Sequence, residues 1–465
     1  MNNPWRRAAA VAVRWAPFVV LPGYLLLVFA LQPCDHMGPP DAAPWLHRSL
    51  YDDYDVTAMA LRGLNAERGR TAGATVYPRG LSSDQFDESL DAPDQTLKPR
   101  YHLEYPHAVL LFFRLGWFWQ SDLNSYPPAI LDGDYNAIVR HTPRNDQERR
   151  WWGEFRRATQ TYMLLMTACA LGLVVVLRAG YEPGGGLSSS GLLLLLPAAL
   201  YFTLNRFDML PALLTALSLA CLGRRKTAAS ALFLAAATIV KVYPVLLAPL
   251  VLRRLLPEWR RAGVWLLCYA GAAAAFLLPT LLLEGWPTLW EPFHFQFNRE
   301  PMPFTAYGPL LPLDLAANDL TGRLFRLGGL ALTVAALCLT RPPDLASVLR
   351  RGAVVLIVFI GLTVYFSPQW LLWLLPLCLP LARRNWPLVG LLVVLDLITY
   401  NTFPVFSAVW GPMDQAGFDR AVYARFAVFA ALIVVLLWQD WHRRPQAEAV
   451  RMPMSEPTVD PVPLA

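Results

Sequence analysis

Apolar runs of bilayer-spanning length recur from Val11 to Trp438, and nothing else in the sequence limits the fold so strongly. About twenty predominantly apolar residues are enough for a helix to cross the hydrocarbon core. Of the 465 residues, 55% are hydrophobic and only 16% charged, which lies outside the range of soluble domains. The expected fold is an all-α multi-pass membrane protein.

Orientation follows from the basic residues. The net charge is +6, carried almost entirely by arginine; the lysines are Lys98, Lys226 and Lys241. The basic residues gather in short loops, a pattern of membrane topology and not of a nucleic-acid surface. Arg6 and Arg7 precede the first run, Val11 to Leu31, with no small-residue cleavage site after it, so an uncleaved first span starting in the cytoplasm is expected. From Phe155 onward, basic clusters fall at every second loop: Arg224-Arg225-Lys226, Arg253 to Arg261, Arg350-Arg351, Arg383-Arg384 and Arg443-Arg444. If the short run from Tyr105 to Gln120 crossed, these clusters would all move outside. A re-entrant or interfacial helix is therefore expected there.

Ser190 to Gly223 is one apolar stretch interrupted by Asn205-Arg206-Phe207-Asp208. A single helix of that length would measure about 51 Å, too long for a core of about 30 Å, so two short spans joined at an outer turn are expected. Thr227 to Leu252 repeats the pattern around Lys241-Val242-Tyr243-Pro244. Later spans are expected near 262–283, 324–339, 352–366, 370–381, 387–403 and 421–438. The sum is about twelve crossings in a single domain over 1–444, with both termini cytoplasmic. Residues 33–154 form a large extracytoplasmic loop bearing interfacial helices, and 445–465 a polar, Pro-rich, disordered cytoplasmic tail. The predicted location is the inner (plasma) membrane, with membrane lipids as neighbours and no nucleic-acid partner.

This topology brings Asp52, Asp53, Asp55, Glu104, Arg206, Asp208, Lys241 and Gln369 to one outer face. A carboxylate at the lipid–water boundary suits a general base, although the same aspartates also suit helix caps. Lys241 closes an apolar run, where an ammonium needs an anionic partner, water, or a snorkelling position. A lipid-borne phosphate would satisfy it. The plainer expectation for Arg206 and Asp208 is that they pair with each other. The outer loop around His294 and Arg299 interleaves aromatic and polar side chains, as a sugar site does and as an interfacial aromatic belt also does. Asp396, within a late span, reads as a helix–helix hydrogen-bonding group.

Nucleotide-dependent chemistry is not expected, since there is no Walker motif or GxGxxG turn, and no HExxH or GxSxG occurs. Of the six cysteines, all but Cys34 lie in apolar runs, with no zinc spacing. No cofactor is expected; a divalent metal is compatible with the chemistry but nothing in the sequence indicates one.

Several segments, in order, resemble the polyprenol-phosphate-mannose-dependent mannosyltransferases of glycosyltransferase family 87, which have the multi-pass GT-C fold. They are Glu104-Tyr105-Pro106, Arg206 to Leu213, Ala236 to Pro244 and Phe366-Ser367-Pro368-Gln369-Trp370. His107 stands where the family often has a second proline. The resemblance implies an inverting hexosyltransferase using a polyprenyl-phosphate sugar, mannose above all, and an extracytoplasmic lipid- or glycan-linked acceptor. By position the base would be Asp53, with Asp55 and Asp52 as alternates. Glu104, Arg206, Asp208, Lys241, Tyr243, His294, Arg299 and Gln369 would bind substrate, with Lys241, Arg206 or Arg299 facing the departing phosphate. The competing readings are a secondary transporter or lipid flippase, and a non-catalytic membrane scaffold.

Overall fold

The computed structural model describes residues 4–31, 107–117, 145–181, 189–297, 301, 304–383, 385–403 and 415–442. Among these, regular structure is helical, with one isolated bridge between Tyr307 and Leu311. The helices are α1 (Pro4–Leu31), α2 (His107–Arg114), α3 (Asp146–Tyr181), α4 (Pro197–Asn205), α5 (Met209–Gly223), α6 (Thr227–Val240) and α7 (Ala248–Leu255). They continue as α8 (Trp259–Glu284), α9 (Trp286–Phe297), α10 (Leu320–Leu339), α11 (Leu345–Leu362), α12 (Leu371–Ala382), α13 (Trp386–Tyr400) and α14 (Gln415–His442).

Seven of these elements contain stretches long and apolar enough to cross a membrane, or eight if α4 and α5 are one span. The chain is a multi-pass helical membrane protein. Asp53, Asp55, Asp52, Glu104 and Arg299 lie outside the described residues.

The short elements are as informative as the long ones. α4 and α5 meet at 107° across Arg206-Phe207-Asp208. At 15 and 14 residues, α5 and α6 reach only about 22 Å each. α2 has eight residues, about 12 Å, and cannot span. It is instead inserted into the bundle: Val109, Phe113 and Trp117 are fully buried. The Tyr162 hydroxyl of α3 donates to the Phe113 carbonyl, and the Phe113 ring meets Phe207 edge-on at 5.5 Å. This short element lies within the stretch 105–120, where a re-entrant or interfacial helix was expected.

The core lies around α11 and α12. Nearly every residue of α12 is buried, as in a helix that is apolar all round and enclosed by neighbours. At the periphery, α8 and α10 leave large apolar side chains such as Leu267, Leu282, Leu324 and Leu332 exposed, the surface that lipid covers.

Two devices fix helix ends inside this bundle. Asp396 of α13 accepts the backbone N–H groups of Ala198 (2.9 Å) and Ala199 (2.8 Å), capping α4, whose own Leu196 provides no side-chain cap. The helix–helix hydrogen bond expected of Asp396 is thus a cap supplied from another helix. At the opposite end of the α5–α6 hairpin, arginines satisfy exposed carbonyls. Arg253 donates to Cys338 (2.8 Å), Arg254 to Pro343 (2.7 Å), and Arg351 to Leu337 (2.7 Å) and Thr340 (2.6 Å). Arg351 also pairs with Asp440 at 2.8 Å. Basic residues read as topology signals therefore also cap the C-terminal end of α10.

Candidate functional site

Three interruptions of helix geometry build the site. Arg206 is extended (φ −139°, ψ 152°) between α4 and α5. Lys241 is extended (φ −153°, ψ 130°) at the end of α6, before a 3-10 turn over Tyr243–Leu247. The third interruption follows α11, where Thr363 to Ser367 lead into a 3-10 turn at Pro368–Trp370 and on into α12. Irregular backbone at membrane depth is tolerated where protein or a cavity surrounds it.

The first two interruptions meet because α5 and α6 have nearly equal length and are joined by the short turn Arg224–Lys226. Equal arms of a hairpin end level, which brings Asp208 beside Lys241. The Lys241 ammonium lies 2.5 Å from Asp208 Oδ1, and Asp208 has 0% side-chain exposure. The Trp373 indole N–H donates to the same oxygen at 2.5 Å. Lys241 Nζ is 4.5 Å from the Phe207 ring centroid and 5.1 Å from that of Trp373. Tyr243 stacks on Trp373 at 4.3 Å and 8°, and Trp370 also stacks on Trp373, at 4.6 Å. A charge this deep persists only when paired and hydrogen-bonded, and here it is both.

The expected Arg206–Asp208 pair does not form. Asp208 is engaged by Lys241 and Trp373, because the hairpin delivers an ammonium to the carboxylate from the neighbouring helix.

Lys241 faces a cavity of about 300 Å³. Its polar wall includes Lys241, Tyr243, Gln369, Arg323 and Arg326; Leu246, Leu327, Leu330 and Leu362 are among its apolar lining. Gln369 is held from within the third interruption: the Ser367 hydroxyl donates to its Oε1 at 2.5 Å, and Tyr365 donates to Ser367 at 3.4 Å. Fixing that oxygen leaves the amide N–H groups to meet a ligand. Below, the Tyr307 phenol donates to the Leu362 carbonyl at 2.7 Å. Burial pushes Tyr307 up to about 12, so it stays a neutral donor at ordinary pH.

Of the residues picked out from sequence, Asp208, Lys241, Tyr243 and Gln369 come together here, with Asp208 reaching the cavity through Lys241. Arg206 lies at the first interruption and is not among the cavity's lining. His294 belongs to α9, whose Phe293 and Gln296 line the cavity; the His294 side chain is not among the described ones. Ser367 and Trp370 stood in a segment singled out from the sequence but without a role of their own, and sequence reading missed Trp373, Arg323 and Arg326. The available signal for the arginines was their i, i+3 spacing at the start of an apolar run, which puts both on one helix face. Among the described residues, no group of three or more His, Cys, Asp or Glu is arranged to hold a metal ion.

Fold and site together define a multi-pass helical membrane protein with an internal ion pair at the edge of a cationic, aromatic-walled cavity. The chain matches no family model and no curated protein.

Proposed function

We propose that this protein is an integral-membrane hexosyltransferase with a GT-C-like fold and about twelve crossings. It transfers a sugar, mannose by the resemblance, from a polyprenyl-phosphate donor to an extracytoplasmic lipid- or glycan-linked acceptor. The observation that carries the reading is the cavity itself, where cations, a fixed carboxamide and stacked aromatic rings surround one space beside lipid-facing helices. Aromatic faces suit the apolar side of a hexose, amide N–H groups its hydroxyls, and cations a phosphate. The positive-inside rule supports a cytoplasmic position for the arginine-capped end of the bundle and so an outer one for the cavity.

In the proposed reaction a carboxylate of the first outer loop, Asp53 or its neighbours Asp55 and Asp52, takes the proton of the acceptor hydroxyl. That oxygen attacks the anomeric carbon from the face opposite the phosphate. The bond from the anomeric carbon to the phosphate oxygen breaks, inverting the centre, and polyprenyl phosphate leaves with the bonding electrons. Cations beside the departing oxygen stabilise the charge that develops there.

The 107° break between α4 and α5 favours one other reading, since secondary transporters and flippases use discontinuous helices around their binding sites. The two differ in product. Membranes containing the protein, supplied with labelled polyprenyl-phosphate-mannose, are expected to release polyprenyl phosphate and label a new glycan. The Asp53→Asn or Asp55→Asn variant that removes the base should insert normally and abolish this. Full transfer by both variants would remove the assignment to Asp53 and Asp55, and full transfer by Asp52→Asn as well would remove the base assignment altogether. Movement of intact donor between leaflets, without release, would favour the transporter.

A further inference from the structure

The charges around the cavity are unevenly balanced. Among the described residues its lining includes the cations Lys241, Arg323 and Arg326 and no carboxylate. Lys241 already has its counter-charge: Asp208 lies 2.5 Å from its ammonium and is wholly buried. An anion approaching Lys241 also approaches that carboxylate, so the pair presents little net positive field.

Arg326 is different. Its Nη1 donates to the carbonyls of Leu315 (3.0 Å) and Ala317 (2.9 Å), and its Nη2 to Asn318 Oδ1 at 3.2 Å. These three oxygens are neutral. They orient the guanidinium without cancelling its charge. The nearby Asp319 carboxylate caps α10, accepting the Gly322 N–H at 2.8 Å, and acts on Arg326 only through space, without a hydrogen bond to it. Arg323 stands one helical turn earlier on the same wall of the cavity. Directly after Arg326 the wall turns apolar, through Leu327 and Leu330, and Leu327 is 53% exposed on the lipid-facing side of α10. A cation held by neutral groups, next to an apolar exit toward lipid, fits a ligand with an anionic head and a hydrocarbon tail. Guanidinium is also the side chain best matched to phosphate oxygens.

We propose that Arg326, assisted by Arg323, is the phosphate subsite for an amphiphilic phosphate ester whose apolar chain leaves the cavity across Leu327 and Leu330. Lys241, tied to Asp208, shapes the cavity and meets neutral oxygens of the ligand. This rests on reading the cavity as the donor site, and it assigns the phosphate to Arg326 in place of Lys241.

The full chain in lipid nanodiscs, titrated through its tryptophan fluorescence, tests the proposal with three probes: undecaprenyl monophosphate, undecaprenol and inorganic phosphate. Undecaprenyl monophosphate is expected to bind saturably and at least about tenfold more tightly than either other probe. Arg326→Gln should weaken it by about tenfold to a hundredfold, the range for a charge-assisted hydrogen bond. Arg323→Gln should weaken it less. It covers the possibility that Arg326→Gln, which also frees two carbonyls, unfolds the turn before α10. The paired variant Asp208→Asn/Lys241→Met should lose less affinity than Arg326→Gln. Wild-type affinity in both arginine variants would overturn the subsite and leave the donor reading standing. Equal binding of inorganic phosphate would overturn the lipid part, leaving a simple anion site. If the wild-type chain binds no undecaprenyl monophosphate, the subsite and the functional reading fall together.

Discussion

Asp208 and Lys241, 33 residues apart in sequence, are joined at 2.5 Å across the level ends of the α5–α6 hairpin. Each helix break carries a charge, and the two charges meet in one buried ion pair. Removing one partner strands a buried charge, which costs about 3–5 kcal/mol. Asp208→Asn and Lys241→Met should each lower the thermal unfolding midpoint of the detergent-solubilised protein. The double variant should fall well short of the sum of the two. Strict additivity would mean that the pair does not hold the hairpin end together.

Asp396 gives a second, independent test of how broken helices are held. Its two oxygens each accept a backbone N–H at the start of α4. Asp396→Leu leaves both donors buried and unpaired, at about 1–3 kcal/mol each. Asp396→Asn keeps one acceptor and should lie between wild type and leucine. Hydrogen exchange at Ala198 and Ala199 reads this directly: protection should fall in the same order. Unchanged exchange in Asp396→Leu would show that α4 is capped by something else.

Much of this architecture was legible in the sequence, and particular residues show where legibility stopped. Apolar runs near 11–31, 155–177, 262–283, 324–339, 352–366, 387–403 and 421–438 correspond to the seven long candidate spans, because burial in lipid writes directly into hydropathy. The polar interruptions at 205–208 and 241–244 marked where helices break, since a charged residue inside an apolar run needs a compensating reason. Sequence did not show what compensates them. Arg206 and Asp208 are near neighbours in the chain, so pairing seemed local, yet the partner came from the next helix. Arg323 and Arg326 escaped notice for a related reason. Arginines at the start of an apolar run look like interface anchors until the neighbouring wall of a cavity is known.

Gly322 offers a test of the turn that holds Arg326. A Cβ there would collide with the Ala317 carbonyl oxygen and come within 3.0 Å of the Leu315 carbonyl oxygen and 3.1 Å of Arg326 Nη1. Those are the acceptors and the donor of the same small network. Gly322→Ala should cost about 1–3 kcal/mol through overpacking and should weaken undecaprenyl monophosphate binding along with it. Gly328→Ala, on the same helix with nothing within 4 Å, is the control and should leave both unchanged. A Gly322→Ala protein as stable and as tight-binding as wild type would separate Arg326 from its turn.

Photo-crosslinking with a polyprenyl phosphate carrying a diazirine beside the phosphate bears most directly on whether the cavity between Lys241 and Arg326 receives a lipid-borne phosphate. In nanodiscs, label mapped by mass spectrometry is predicted in α10 and in the segment from Phe359 to Trp373, and it should be lost in Arg326→Gln. Label spread over the outward face of α8, absent from α10 and indifferent to Arg326→Gln, would contradict it.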